Sequence, residues 1–312
     1  GIAMLRALWA LGFLTLTLPA VAEEPAPRFK VGDTFTQEVV VSRRSAFSVV
    51  GLNVEKWAQY SFTSTLAITK VNADGSLEAA QTIKTAKLID ADADMRASLP
   101  AALAKTVGSK FDLTVAPNGT VTALKGLKDS IQVRVGKDDD VGSSLRMWSV
   151  LDADAWKELG GLTFFLPERP VTGQPSLTDA ASGPWTRDAA HDWGALGSWQ
   201  GKTTYTAGKK LDKAGLARIE YGHKLTYKPP AAGSDRDLPL KIVKSDFKIM
   251  GAGGAILYNP AVQKVTKAEE AFQVRGAVLV SLGGIEAAID MEELQTFRLV
   301  VTDPAARRAP SK

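Results

Sequence analysis

The stretch Lys110–Leu124, KFDLTVAPNGTVTAL, constrains this chain most, because it suits one kind of structure. Phe111, Leu113 and Val115 alternate with Asp112 and Thr114, the period of a strand with one buried face. Pro117 then fixes φ, and Asn118 and Gly119 tolerate the positive φ of a tight reversal. Thr120–Leu124 returns through β-branched residues. The stretch is a β-hairpin. A looser version, Ala255–Lys267 (AILYNPAVQKVTK), runs an apolar strand into a Pro-centred turn and back through Val265 and Thr266.

The same period marks most of the chain. Gly32-Asp33-Thr34 opens a strand from Phe35 to Val41, and Arg43-Arg44 with Gly51 reads as an irregular connection. Tyr60, Phe62, Leu66 and Ile68 share one face of a strand that turns at Asn72-Ala73-Asp74-Gly75 and returns over Ser76–Leu88. Late in the chain Ile219, Tyr221, His223, Leu225 and Tyr227 share a face, opposite Arg218, Glu220, Lys224 and Thr226. After a loop at 229–237 come strands over Leu238–Ile249 and Phe272–Leu282, a tight turn at Gly283-Gly284, and strands over Ile285–Met291 and Leu294–Val301. Helical spacing is confined to Ala97–Val107, stopped by Gly108, and to Gly142–Leu159, with its stripe of Leu145, Trp148, Leu151, Trp156 and Leu159 ended by Gly160-Gly161. Gly126–Val135 fits either helix or strand.

Gly201-Lys202-Thr203-Thr204-Tyr205 repeats the start at Gly32-Asp33-Thr34-Phe35, so the expectation is two related halves. The fold class is mainly β (α+β): a curved antiparallel sheet or open barrel with a few short helices. The expected divisions are a signal peptide at 1–22, a flexible leader at 23–30, and an N-terminal half at 31–170 with a helical insertion. A Pro/Gly/Trp-rich connection follows at 171–200, then a C-terminal half at 201–302 and a mobile tail at 303–312.

Arg6, the apolar run Ala7–Leu18 and the small residues Ala20-Val21-Ala22 form an export signal cut after Ala22. The run is too short for the roughly 20 residues of a membrane span, so no transmembrane anchor is expected after cleavage. The protein is expected in the periplasm or outside the cell, as a monomer. The chain has 312 residues, 45% of them hydrophobic, enough for a sizeable core. It has no cysteine, which excludes disulfides, thiol catalysis and cysteine-bound metals. Lys and Arg number 38 against 34 acidic residues and are interleaved with them, which argues against a nucleic-acid partner.

The order of these signals resembles a family of secreted bacterial proteins of unknown function. The match rests on Gly32-Asp33 at the strand start and on Gly108 to Val121, which has the form G-x-x-F-x-x-x-V-x-P-x-G-x-V. It rests further on the mid-chain set Leu166, Pro167, Pro170, Val171, Gly173 and Trp185. The resemblance covers nearly the whole mature chain and implies an exported β protein, with no catalytic residues to carry over. A weaker similarity, at the level of fold, is to periplasmic lipoprotein carriers, whose curved sheet wraps lipid chains.

Few residues suggest chemistry. Asp90, Asp92 and Asp94 have calcium-loop spacing, but Met95 stands where the loop needs glycine and Ala101 where it needs a closing Glu. Asp138–Asp140, with Asp152 and Asp154, could bind a divalent cation, but the simpler account is acidic side chains near helix N-termini. Gly251-Ala252-Gly253-Gly254 leads into a strand and reads as a turn. Of the two histidines, His191 sits in an irregular, Trp-rich segment and His223 in an apolar strand row. No G-x-S-x-G or H-E-x-x-H motif is present, and neither enzyme activity nor a cofactor or metal is expected. The leading expectation is a non-enzymatic envelope or secreted protein that binds a lipid-like or other apolar ligand, or an envelope protein, in the concavity of its sheet. Tyr221, His223, Tyr227, Trp185, Trp193 and Trp199 are the candidate ligand residues. The alternative is a carbohydrate-binding or carbohydrate-active protein that stacks sugars on the tryptophans of Trp185–Trp199.

Overall fold

The computed structural model describes residues 28–127, 153–169, 171, 183–193, 196–231 and 241–303. The signal segment, most of the leader, Asp138–Asp140, the Leu145–Leu151 stripe, Pro170, Gly173 and the tail beyond 303 lie outside the described residues.

Among the described residues eleven strands form one antiparallel, curved sheet that does not close, accompanied by two short helices. The strands are β1 (Thr34–Val49), β2 (Leu52–Val71), β3 (Leu77–Ala91), β4 (Lys110–Val115) and β5 (Val121–Lys125), then β6 (Trp185–Asp192), β7 (Ser198–Leu211), β8 (Ala217–Lys228), β9 (Lys241–Asn259), β10 (Lys264–Leu282) and β11 (Ile285–Thr302). The helices are α1 (Ala93–Thr106) and α2 (Ala153–Thr163). The spatial order is β5-β4-β3-β2-β1-β11-β10-β9-β8-β7-β6. In chain order the strands thus begin mid-sheet with β1, step to one edge at β5, resume at the other edge with β6, and step back to β11. Only β1 against β11 joins strands distant in sequence, with Val39 opposite Leu299.

Alternation decides the faces. Phe35, Val39 and Val41 of β1 and Tyr60, Phe62, Leu66 and Ile68 of β2 are buried on the inner face, with polar neighbours outside. Leu99 and Leu103 of α1 and Trp156 and Leu159 of α2 join the same cluster. Trp156 meets Phe62 at 5.4 Å and Phe111 at 5.4 Å. A second cluster, built on Trp199, Phe247, Val274, Val278 and Met291, occupies the other end of the inner face.

The 110–124 hairpin forms as expected, as β4 and β5, and its turn explains its glycine. Gly119 has φ +87°, and a Cβ there would stand 2.1 Å from the Phe164 carbonyl oxygen just beyond α2. α2 does not stop at Gly160-Gly161 but continues to Thr163. There Gly160 provides close contact, since a Cβ would sit 3.0 Å from Val121 and 3.2 Å from Leu113.

Other local expectations change. Arg43 and Arg44 lie inside β1, and 285–291 and 294–301 are one strand, β11. Arg28 and Phe29, expected in a flexible leader, are held: Arg28 donates to the carbonyls of Gln263, Phe164 and Phe165, and Phe29 packs on Phe35 and Phe164. Burial lowers the Arg28 pKa to about 10. Asp92 caps α1 by accepting from Met95 N at 2.9 Å and also accepts from Trp57 N, while Asp90 pairs with Arg96 and Asp94 with Lys56.

Candidate functional site

β6 is an edge strand, though its residues were expected to be irregular. Its inner row is Trp185, Arg187, Ala189 and His191, set against Tyr205, Thr203, Gly201 and Trp199 of β7. That row faces α2. Asp154 of α2 accepts from Asp192 N at 2.7 Å and pairs with Lys157, and Glu158 meets His191 Nδ1 at 2.8 Å. Arg187 lies over the Phe165 ring at 4.7 Å, pairs with Glu168 and donates to Leu166 O. These contacts fasten α2 and the segment after it to the edge of the sheet.

Between α2 and the inner face of β6–β11 lies a cavity of about 450 Å³. Trp193, Trp199 and Phe272 line one side, and Tyr205, Tyr221 and Phe165 another. That volume falls in the range of small-molecule sites. Polar groups converge within it. His223 Nδ1 is 2.7 Å from Thr203 Oγ1, and His223 Nε2 is 3.2 Å from Glu270 Oε2. The Tyr221 hydroxyl donates to the same Glu270 oxygen at 2.8 Å. Glu293 also lines the cavity, held by Arg43 at 2.8 Å and by Ser45. Asp188, the remaining charged group on the wall, lies 4.0 Å from Lys202.

The residues 251–254, expected to be a turn, sit inside β9 and make this cluster possible. Tyr221 on β8 and Glu270 on β10 are separated by β9, where Gly254 stands opposite both. A Cβ on Gly254 would lie 2.8 Å from the Tyr221 hydroxyl oxygen and 1.9 Å from Glu269 O. Glycine therefore lets the two side chains meet across the intervening strand and lets β9 press against β10.

Burial, the largest effect on His223, lowers its pKa, but the hydrogen bond and charge of Glu270, aided by Glu158, outweigh it and leave the pKa raised. Burial, and then the charge of Glu270, push Tyr221 well up. Burial raises Tyr205 to about 12. The site thus holds an imidazole that keeps its proton to higher pH than a free one, beside neutral phenols. The order Thr203–His223–Glu270 is that of a hydroxyl–imidazole–carboxylate triad. Thr203, however, is buried.

Four of the six candidate residues, Tyr221, His223, Trp193 and Trp199, therefore line one cavity. Tyr227 stands behind it, its hydroxyl 2.7 Å from Ser245 Oγ and its ring 5.2 Å from Trp199. Trp185 stacks on Tyr205 at 5.5 Å and is buried. Sugar stacking needs exposed rings, and Trp185 and Trp199 are 5% and 1% exposed. Sequence reasoning missed Thr203, Glu270, Glu293 and Glu158 as cavity residues. Glu270 carried a signal: a carboxylate between Ala268 and Phe272 in an inward row.

No family model and no curated protein matches the chain. Among solved structures it is similar to lipovitellin, in a structure concerned with lipid–protein interactions, at 11% identity and TM-score 0.37, over 91% of this chain and 26% of that one. The chain thus spans about a quarter of the lipovitellin chain. It is also similar to a DUF1329 family protein from Desulfovibrio piger, at 10% identity and TM-score 0.14, over 84% of each chain. A third likeness is to a COG4313 outer membrane channel from Pseudomonas putida F1, at 10% identity and TM-score 0.18, over 90% of this chain and all of that one. Likenesses at these scores carry no functional argument. Among the described residues no helix is long and apolar enough to cross a membrane.

Proposed function

We propose that the protein is an exported, non-enzymatic binder of a small apolar or amphiphilic molecule, held between α2 and the inner face of the sheet. The observation that supports this is the cavity of about 450 Å³, with aromatic sides and one convergent polar patch. A core built only for stability would fill such space with side chains. Export rests on the sequence of the first 22 residues. The test is native mass spectrometry with lipid extraction on mature protein purified from its own export route. A co-purifying small molecule is expected, released by denaturation. A clean apo mass, together with no uptake of added amphiphiles, would sink the proposal.

The Thr203–His223–Glu270 order favours a second reading, acyl transfer at Thr203. It predicts hydrolysis of p-nitrophenyl esters that disappears in Thr203→Ala. Such turnover would replace the binding reading.

A further inference from the structure

The cavity wall carries many ionisable groups, yet each lies within ion-pair distance of a partner of the opposite kind, His191 and His223 being charged only when protonated. The least exposed of these pairs are Glu293 with Arg43 and Glu270 with His223. A charged ligand would have to break such a pair or remain uncompensated in a poorly solvated hollow. The pairs nevertheless leave hydrogen-bond acceptors over. On Glu270, Tyr221 and His223 both bond Oε2; on Glu293, Arg43 and Ser45 both bond Oε2. Among the described residues neither Oε1 has a partner. A neutralised carboxylate with a spare oxygen takes a strong hydrogen bond from a neutral donor and asks for no further charge.

We propose that the ligand is an uncharged amphiphile bearing a hydroxyl group, of the class of long-chain alcohols. Its hydroxyl donates to Glu270 Oε1, and its apolar body lies against Trp193, Trp199 and Phe272. This rests on the cavity-binding reading above and narrows it: an ionised fatty acid meets acceptors where it needs donors, and an ammonium must compete with Arg43, Lys157 and Arg187, which already serve carboxylates at the wall.

Four probes of equal chain length separate the cases: dodecanol, dodecyl methyl ether, dodecanoate and dodecylammonium. Each is titrated into the mature protein and followed by intrinsic tryptophan fluorescence, since Trp193 and Trp199 line the cavity. Dodecanol is expected to bind about tenfold tighter than each of the others, the effect of one hydrogen bond to a charged acceptor. In Glu270→Gln, which preserves volume, the alcohol-to-ether ratio is expected to fall towards one. Because that ratio compares two ligands on the same variant, a loss of stability does not mimic it. Equal binding of alcohol and ether, an unchanged ratio in the variant, or a charged probe binding tightest would overturn the ligand class while leaving cavity binding intact. No binding by any of the four would overturn both.

Discussion

The pKa of His223 is held up by a cause that one substitution removes. Glu270 bonds it, Glu158 adds negative charge from α2, and Tyr221 and Thr203 complete its surroundings. The folded-state pKa lies above the ordinary 6.5. The stabilisation is therefore fully present below pH 6.5 and is lost as pH rises through the raised value. With only two histidines in the chain, proton NMR resolves the titration directly. One imidazole is expected to titrate above 6.5, and Glu270→Gln is expected to bring it below, because burial then dominates. A His223 that titrates below 6.5 in the unaltered protein would refute the account. Arg28 presents a different case. Its guanidinium serves the carbonyls of Gln263, Phe164 and Phe165, so Arg28→Ala strands three acceptors. The expected loss is about 2–4 kcal/mol in urea unfolding; a loss under about 0.5 kcal/mol, usual for a surface site, would show the contacts to be idle.

Turns and kinks both use glycine, and at the scale of an element they can be told apart by what a Cβ would meet. Gly75 and Gly119 both have positive φ, +84° and +87°. At Gly75 the nearest atom to a Cβ is Pro117 Cβ at 3.9 Å, whereas at Gly119 it is a backbone oxygen at 2.1 Å. Gly75→Ala should cost about 1 kcal/mol, from backbone strain alone. Gly119→Ala should cost about 3 kcal/mol, because α2 must also shift. Equal costs in equilibrium unfolding would contradict the collision. This contrast marks what was legible in the sequence. The inner rows of β2 and β8 could be read directly, because period-two alternation is local. The glycines at 251–254 could not, since nothing local says whether a glycine faces solvent in a turn or a neighbouring strand's carbonyl. The pairing of Glu270 with Tyr221 and His223 was hidden for the same reason: it spans three strands. β6 escaped notice because Arg187 and His191 sit in its inner row, so it shows no apolar period.

For the molecule as a whole, the strand order is that of a simple up-and-down meander, β6 through β11 and then β1 through β5, cut open at its middle. The start of β1 lies beside the end of β11, with Thr36 opposite Thr302. A permutant that joins these ends by a short linker and opens the chain within 128–152 turns every strand pairing into a sequential one. It is expected to fold, to keep the cavity, and to fold faster, since the most distant pairing becomes local. A permutant that folds more slowly by stopped-flow fluorescence would show that the β1–β11 seam does not limit the rate. The seam has another consequence, in biosynthesis. A ribosome makes β1 well before β11, so the growing chain carries fourteen unpaired residues of sheet edge until β11 emerges. Any product cut short before residue 285 keeps that edge bare for good, open to the β11 of another copy.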